Sequence, residues 1–323
     1  MTQFDFNLLG RAAMRLMSPG GRRGLSILIY HRVLPQPDPL FPGEVDCVEF
    51  ERQMQLVKAC CNVLPLPEAV ARARAGTLPP RAACITFDDG YADNATNALP
   101  ILRRLGLHAT FFVATGFLNG GRMWNDTIIE MVRAAPDQID ASALGYPVHA
   151  TRTIEEKRAA VPALIMQLKY VPMEERLEQV NRLVQSTGLA LPDDLMMTTA
   201  QVRELHEGGM EIGGHTVNHP ILARLPLDAA RREIATGKAE LETMIGQPLR
   251  LFAYPNGKPR QDYLPEHVAL ARELGFEAAV STAWGRSDNT DLFQLPRFTP
   301  WDRDRLRFMA RLARNLSFEA ERV

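Results

Sequence analysis

The sequence predicts an α/β protein built on a parallel sheet. Short β-branched or aromatic runs bounded by turn residues alternate with longer stretches of helical period. Several of those stretches end in the glycine that helix termination favours, at Gly106, Gly246 and Gly275. A chain of 323 residues suits about two domains, or one α/β barrel carrying an insertion.

The expected strands lie near Leu25–Tyr30, Ala83–Phe87, Ala109–Ala114, Met210–Gly213, Arg250–Tyr254 and Ala278–Ser281, with a further one around Phe293–Arg297. Helices are expected at Val48–Cys61, Asp93–Leu105, Leu227–Ile245, Tyr263–Leu274 and Asp302–Arg314. Between Phe117 and Thr198 the strand rhythm stops and the chain turns helical and charged, with helices at Glu155–Lys169 and Met173–Gln185. We read residues 118–197 as an insertion, residues 25–323 as the barrel around it, and residues 1–24 as a separate N-terminal helix and basic turn. An insertion leaving after one strand and returning before the next sits over one face of a barrel, where it can shape a cleft.

Composition narrows the function classes. With 37 basic against 38 acidic residues, no charge excess points to nucleic acid. No apolar run approaches the roughly 20 residues that span a bilayer. Cys47, Cys60, Cys61 and Cys84 form no C-x-x-C pair, which suits a reducing compartment. Asp5, Arg11 and Arg15 interrupt what would have to be a signal peptide, so the expected location is the cytoplasm. Within residues 1–24, Asn7, Arg11, Arg15 and Ser18 share one helical face and Phe4, Leu8, Leu9, Leu16 and Met17 the other, before the turn GGRRG. That pattern suits peripheral contact with an anionic membrane, and equally a helix docked on its own domain.

The chemistry starts at ACITFDDGYADN, where Asp88 and Asp89 follow a strand, the place α/β proteins put catalytic groups. Adjacent buried carboxylates need a shared proton or a cation, although a D-G turn with one solvated Asp has the same sequence. His215 and His219, four apart after the strand EIGG, can converge on one ion. One Asp and two His from different strand ends make the open three-ligand shell of zinc-type hydrolytic sites.

Together TFDDG at Thr86–Gly90, H-T-x-x-H at His215–His219 and the Pro-Asn-Gly turn at Pro255–Gly257 resemble the polysaccharide deacetylase family, carbohydrate esterase family 4 with its NodB homology domain. The resemblance runs from about Ser26 to about Arg297 and leaves the insertion outside. It implies a distorted (β/α) barrel, one divalent metal (zinc first, cobalt or manganese as alternatives) and hydrolytic removal of acetyl groups from sugars. Asp88 resembles the catalytic base, and Asp89, His215 and His219 resemble the metal ligands. The usual C-terminal Leu-x-His acid is missing, since only His267 follows His219. SILIYHRV instead resembles the subset carrying that acid in an upstream Tyr-His, which makes His31 the acid; taken alone, a strand-end His is a core residue.

In FAYPNG, Ala253 stands near the family's Arg position and Asn256 replaces its second aromatic, yet the Asn256 N–H still suits an oxyanion donor. Tyr254 and Pro255 are candidate substrate walls, as is Trp124 in MWND, which also reads as a core Trp at a helix start. Arg297 in LPR is a candidate for orienting Asp88 or a neighbouring carboxylate, or a surface Arg. The expected reaction is removal of an acetyl group, N-linked first, from an amino sugar in a glycan or a lipid- or nucleotide-linked precursor. Water would be activated by the metal and Asp88, and the amine protonated by His31. The alternatives are a carbohydrate O-acetyl esterase, a glycan-binding protein with a vestigial metal site, or a membrane-recruited interaction protein. The oligomeric state is not legible.

Overall fold

A computed structural model describes residues 3–21, 24–286 and 291–323. Its central sheet takes β1 (Ser26–Tyr30), β3 (Ala82–Phe87), β4 (Thr110–Val113), β7 (Glu211–Gly214), β8 (Leu251–Ala253) and β9 (Ala278–Val280) in that spatial order, every pair parallel. The short β2 (Asn62–Val63) pairs with the start of β3. Strands such as SILIY and AACITF are buried at every residue, as parallel strands covered on both faces must be.

The sheet curls until residues 292–298 bridge its two edges. Ala279 donates to the Leu292 carbonyl and Ser281 to that of Leu295, while Phe298 donates to Ile27 and Ile29 to Phe298. This is the stretch expected as a seventh strand, and it is an irregular closure instead. Pro296 has no N–H to offer a ladder, which limits the stretch to isolated bridges.

Period-two alternation sorts the barrel. Ile27, Cys84, Phe112, Leu251, Val280 and Leu295 join one apolar cluster, capped by Leu66, Ala69, Val70 and Ala73 of α3 (Leu66–Ala75). Their strand neighbours Leu28, Ile85, Phe87, Phe111, Ile212 and Phe252 join a larger cluster on the other face. That face is covered by helices including α2 (Cys47–Cys60), α4 (Leu99–Leu105), α8 (Thr199–Glu207), α9 (Leu227–Ile245), α10 (Pro265–Glu273) and α11 (Arg305–Asn315). The helix expected from Asp93 is split: a π turn over Asn94–Ala98 precedes α4, because Pro100 cannot donate back along an α-helix.

Residues 118–197 hold more than helices. α5 (Trp124–Ala134) leads into the hairpin β5 (Gln138–Asp140) and β6 (Val148–Ala150), then α6 (Ile154–Leu168) and α7 (Met173–Thr187). These pack on a core of their own, with Ile128, Met131, Ile139, Leu164, Val180 and Leu183 at its centre. The N-terminal helix α1 (Gln3–Met17) packs on α2 and α11 of the same chain. Met14 is buried, and Gly10 lies so near Cys60 that an added Cβ would stand 2.8 Å from its Sγ. Arg11, Arg15 and Leu16 are exposed, and Ser18, just past the end of the helix, is fully buried and donates to the Gly24 carbonyl. Asn7, Phe4, Leu8 and Leu9 lie outside the described side chains. Among the described residues no helix is long and apolar enough to cross a membrane.

Candidate active site

Tyr30 of β1 pairs with Phe87 of β3, so the next residues, His31 and Asp88, leave the sheet side by side. The Asp88 N–H donates to the Tyr30 carbonyl at 3.0 Å, and Asn94 Nδ2 holds the His31 carbonyl at 2.8 Å. Alternation along β3 stacks Thr86 and then Asp88 above Cys84, at the open end of the barrel interior.

Arg297 reaches this point from the closing segment. Its Nη1 and Nη2 each lie 2.6 Å from one oxygen of Asp88, and its Nε donates to the Ser281 carbonyl at 2.9 Å. With 1% of its surface exposed, Arg297 is no surface residue. Burial pushes the Asp88 carboxyl up, but Arg297, His215 and His31 outweigh it and hold the group below the ordinary carboxylate range.

Asp89 turns the other way, through a left-handed backbone at φ 76°. Its Oδ1 stands 3.4 Å from His215 Nε2 and 3.4 Å from His219 Nε2. His215 follows β7 and gives its Nδ1 hydrogen to the Ala253 carbonyl at 2.8 Å, so Nε2 is the nitrogen turned to Asp89. The HTVNH turn is clamped from α9: Glu233 accepts from the main chain of Val217 and Asn218 at 3.1 and 2.8 Å, and from the Asn218 side chain. Thr216 and His219 are also left-handed, at φ 66° and 51°. Backbone of this kind costs about 1–2 kcal/mol per residue and persists where surroundings over-determine it.

These three ligand atoms fit a divalent metal. Asp89 Oδ1 is buried with no hydrogen-bond partner among the described residues. Bonds of about 2.1 Å at tetrahedral angles separate ligand atoms by about 3.4 Å; Asp89 Oδ1 stands at that distance from both imidazole nitrogens, and all three atoms lie within 4.8 Å of one another. The electrostatics suit a cation at this point. Burial opposes charge on His215, yet Asp88 and Asp89 reverse it and raise its pKa; burial lowers His219 to about 4, leaving it a neutral ligand.

One cavity of about 430 Å³ brings together His31, Asp88, Asp89, His215, His219 and Asn256. The Asn256 N–H donates to no protein acceptor among the described residues, and its carbonyl is tied to Thr282 Oγ1 at 2.7 Å. Gly257 seals this turn: at φ 73° it packs so close that an added Cβ would lie 2.9 Å from the Thr282 nitrogen.

Two expected substrate walls fall elsewhere. Tyr254 is fully buried, stacked on Tyr263 with centroids 4.0 Å apart and donating to the Phe293 carbonyl, and Pro255 is buried beside it. Trp124 lines an adjoining lobe that shares Asp89, Asn125, His219 and Asn256 with the main cavity, and Arg176 lies 4.7 Å over its ring.

Sequence reasoning missed several groups. Asp126 lines the cavity, accepts from Tyr91 Oη at 3.0 and 3.1 Å, and is pushed up to about 7 by burial and by the charge of Asp89. Arg32, anchored on Asp93 at 2.8 Å, and Arg133, paired with Asp38 at 2.7 Å, stand in the same wall. The position of Asp126 two residues after Trp124 was the one local hint.

The polysaccharide deacetylase profile matches residues 75–163 and 174–279. The match therefore runs through most of residues 118–197, which the sequence had placed outside the resemblance, and it does not include residues 26–74 or 280–297. A Bacillus subtilis protein named as a polysaccharide deacetylase, YxkH, is 21% identical over 263 residues; this chain covers 81% of itself and 65% of that protein's length in the match. IcaB from Ammonifex degensii superposes with a TM-score of 0.57 at 20% identity, over 90% of this chain and 97% of that one. The deacetylase PplD of Streptococcus pyogenes, solved with acetate, gives 0.55 at 22% identity, over 85% and 91%. At these identities the structures speak for a shared barrel fold. With more than half its residues matched by the profile, the chain belongs to the polysaccharide deacetylase family.

Proposed function

We propose that the protein is a metal-dependent hydrolase that removes an acetyl group, N-linked in our reading, from an amino-sugar-containing saccharide. One observation carries this reading: a carboxylate–histidine–histidine cluster with an orphaned oxygen lies beside a buried, arginine-held carboxylate, and both open into the cavity that His31 lines.

Asp89, His215 and His219 would hold the metal, zinc in our reading. When bound, it supplies Lewis acidity at the acetyl carbonyl and makes water a nucleophile near neutral pH. The chain's own residues divide the remaining work. Asp88, kept ionised by Arg297, accepts the proton of the attacking water, and the rigid fork of Arg297 fixes which way its oxygens face. The unpartnered N–H of Asn256 suits the oxygen that gains charge. His31 protonates the departing nitrogen, a step an amide needs more than an ester does.

The test is acetate release from a panel of N- and O-acetylated saccharides, using chelator-treated protein before and after addition of zinc, cobalt or manganese. Release that appears with metal supports the reading. No release from any substrate by protein carrying stoichiometric metal would overturn it.

A further inference from the structure

Beyond the catalytic cavity the groove continues past His219 and Asn256. The lobe that holds Trp124 also holds Lys169, and it shares Lys169, Ile221 and Asn256 with a further cavity of about 580 Å³. The walls of that further cavity carry Lys169, Arg224, Lys258 and Arg260 against a single carboxylate, Asp262.

The cations come from three separate segments: the end of α6, the turn after HTVNH, and the loop after β8. Arg260 pairs with the exposed Glu321 at 3.0 Å. Lys169, Arg224 and Lys258 have no carboxylate within ion-pair distance among the described residues. Asp262 accepts the Lys258 main-chain N–H at 2.9 Å, and its charge acts on Lys169 and Lys258 together. Lys169 and Arg224 instead share the ring of Tyr170, each 5.9 Å from its centroid.

Some exposed cations elsewhere have a carboxylate of their own, as Arg232 has Asp228, Arg272 has Asp291 and Arg250 has Glu211, but none of these lines this cavity. With Glu321 on Arg260, the remaining three cations face the one charge of Asp262, and the positive excess left over is relieved by an anion of about two charges. A single carboxylate would neutralise one of them. A phosphate monoester carries about −1.5 to −2 near neutral pH, with several acceptor oxygens for lysine and arginine donors.

We propose that this lobe binds a phosphate carried by the saccharide, so that the preferred substrate is a phosphorylated or phosphate-linked N-acetylated sugar and not a neutral one. The proposal rests on the deacetylase reading for its acetyl group, but the lobe can be tested apart from it. The phosphate lies further along the groove than the acetyl group, and none of Lys169, Arg224 and Lys258 belongs to the Asp89–His215–His219 cluster.

The probes are the methyl glycoside of N-acetylglucosamine, its 1-phosphate, and its diphosphate linked to uridine or to a short polyprenyl chain, tested on zinc-loaded protein. The wild type should turn over the phosphate-bearing probes with kcat/KM at least about tenfold above the neutral glycoside, mainly through KM, and lose that advantage in high salt. In the double variant Arg224→Gln/Lys258→Gln the advantage should disappear while turnover of the neutral glycoside is unchanged. Preference for the uridine-linked or the polyprenyl-linked probe identifies the source of the phosphate, and either supports the lobe. Equal kcat/KM for charged and neutral probes in the wild type, or an advantage that survives in the double variant, overturns the proposal.

Calorimetric titration with inorganic pyrophosphate separates it from the deacetylase reading. Binding that weakens at least tenfold in the double variant supports the lobe even if no probe is deacetylated. Equal binding by both proteins overturns it whatever the fate of the acetyl group.

Discussion

The floor of the cavity and the wall raised over it by residues 118–197 are built by different rules. The floor comes from strand ends: Asp88 has both oxygens engaged by Arg297, His215 is tied to Ala253, and all three side chains are almost wholly buried. The wall has a core of its own and presents side chains such as Asp126, Arg133 and Trp124 to the cavities, with Arg133 and Trp124 only partly buried. A rigid, desolvated floor suits groups that must not move during a proton transfer, and a separately folded wall can vary what is admitted without disturbing them. Floor substitutions should therefore act on kcat, and wall substitutions on KM.

The sharpest test is Asp88→Asn. Turnover should fall by about 10²–10⁴-fold, the worth of a positioned base, while stoichiometric metal binding persists because Asp89, His215 and His219 remain. Unchanged turnover would remove Asp88 from the floor's chemistry. Arg297→Met should cost stability as well, about 3–5 kcal/mol by denaturant titration, because it strands a buried carboxylate. His31→Ala should abolish amide cleavage while sparing an activated acetyl ester, whose leaving group needs no acid. Equal loss on both substrates would make His31 something other than the acid.

A smaller effect joins floor to wall. Asp126 has an ordinary pKa of 3.8 and is pushed up to about 7 in the folded state. With the folded value raised, its contribution to stability is fully present below pH about 4 and is lost as pH rises through about 7. Asp126→Asn should flatten that decline, by at most roughly 4 kcal/mol across the window in metal-free protein. A bound cation offsets the charge of Asp89, one cause of the shift, so the decline should be shallower in the metal-loaded protein. Urea titrations at pH 5 and pH 8 read both effects, and an unchanged slope in the variant would mean that Asp126 titrates normally.

The comparison also shows what a sequence exposes. The main strands are legible because each is a short apolar run buried on both faces, and the Asp89–His215–His219 cluster because Asp-Asp and His-x-x-x-His follow two of them. Residues 293–297 were misread because Pro296 leaves the apolar composition of a strand without its hydrogen bonds. The β5–β6 hairpin was invisible because its two strands are three residues each and mostly exposed. Tyr254 looked like a wall because the turn after it is one, but stacking on Tyr263 takes its ring into the core. Glu233 could not have been found locally, since it reaches the HTVNH turn from a helix that begins eight residues after His219. Its role predicts that Glu233→Ala weakens metal affinity about 10–100-fold with the three ligands intact, as loss of a supporting hydrogen bond does. Titration of zinc against a competing chelator would show it, and an unaltered affinity would mean that the turn holds its own shape.

The smallest effect probes the wall alone. Trp124 stands at the first turn of α5, half-buried, with one face under the guanidinium of Arg176, and lines the lobe that adjoins Asp89 and His219. If that lobe receives a sugar ring, Trp124→Ala removes one aromatic surface, worth a KM increase of roughly two- to tenfold with kcat unchanged. Trp124→Phe should recover most of the loss, which a general loosening of α5 would not. A fall in kcat at constant KM would break the division between floor and wall, because it would mean that the wall positions the reacting groups and does not merely select what reaches them.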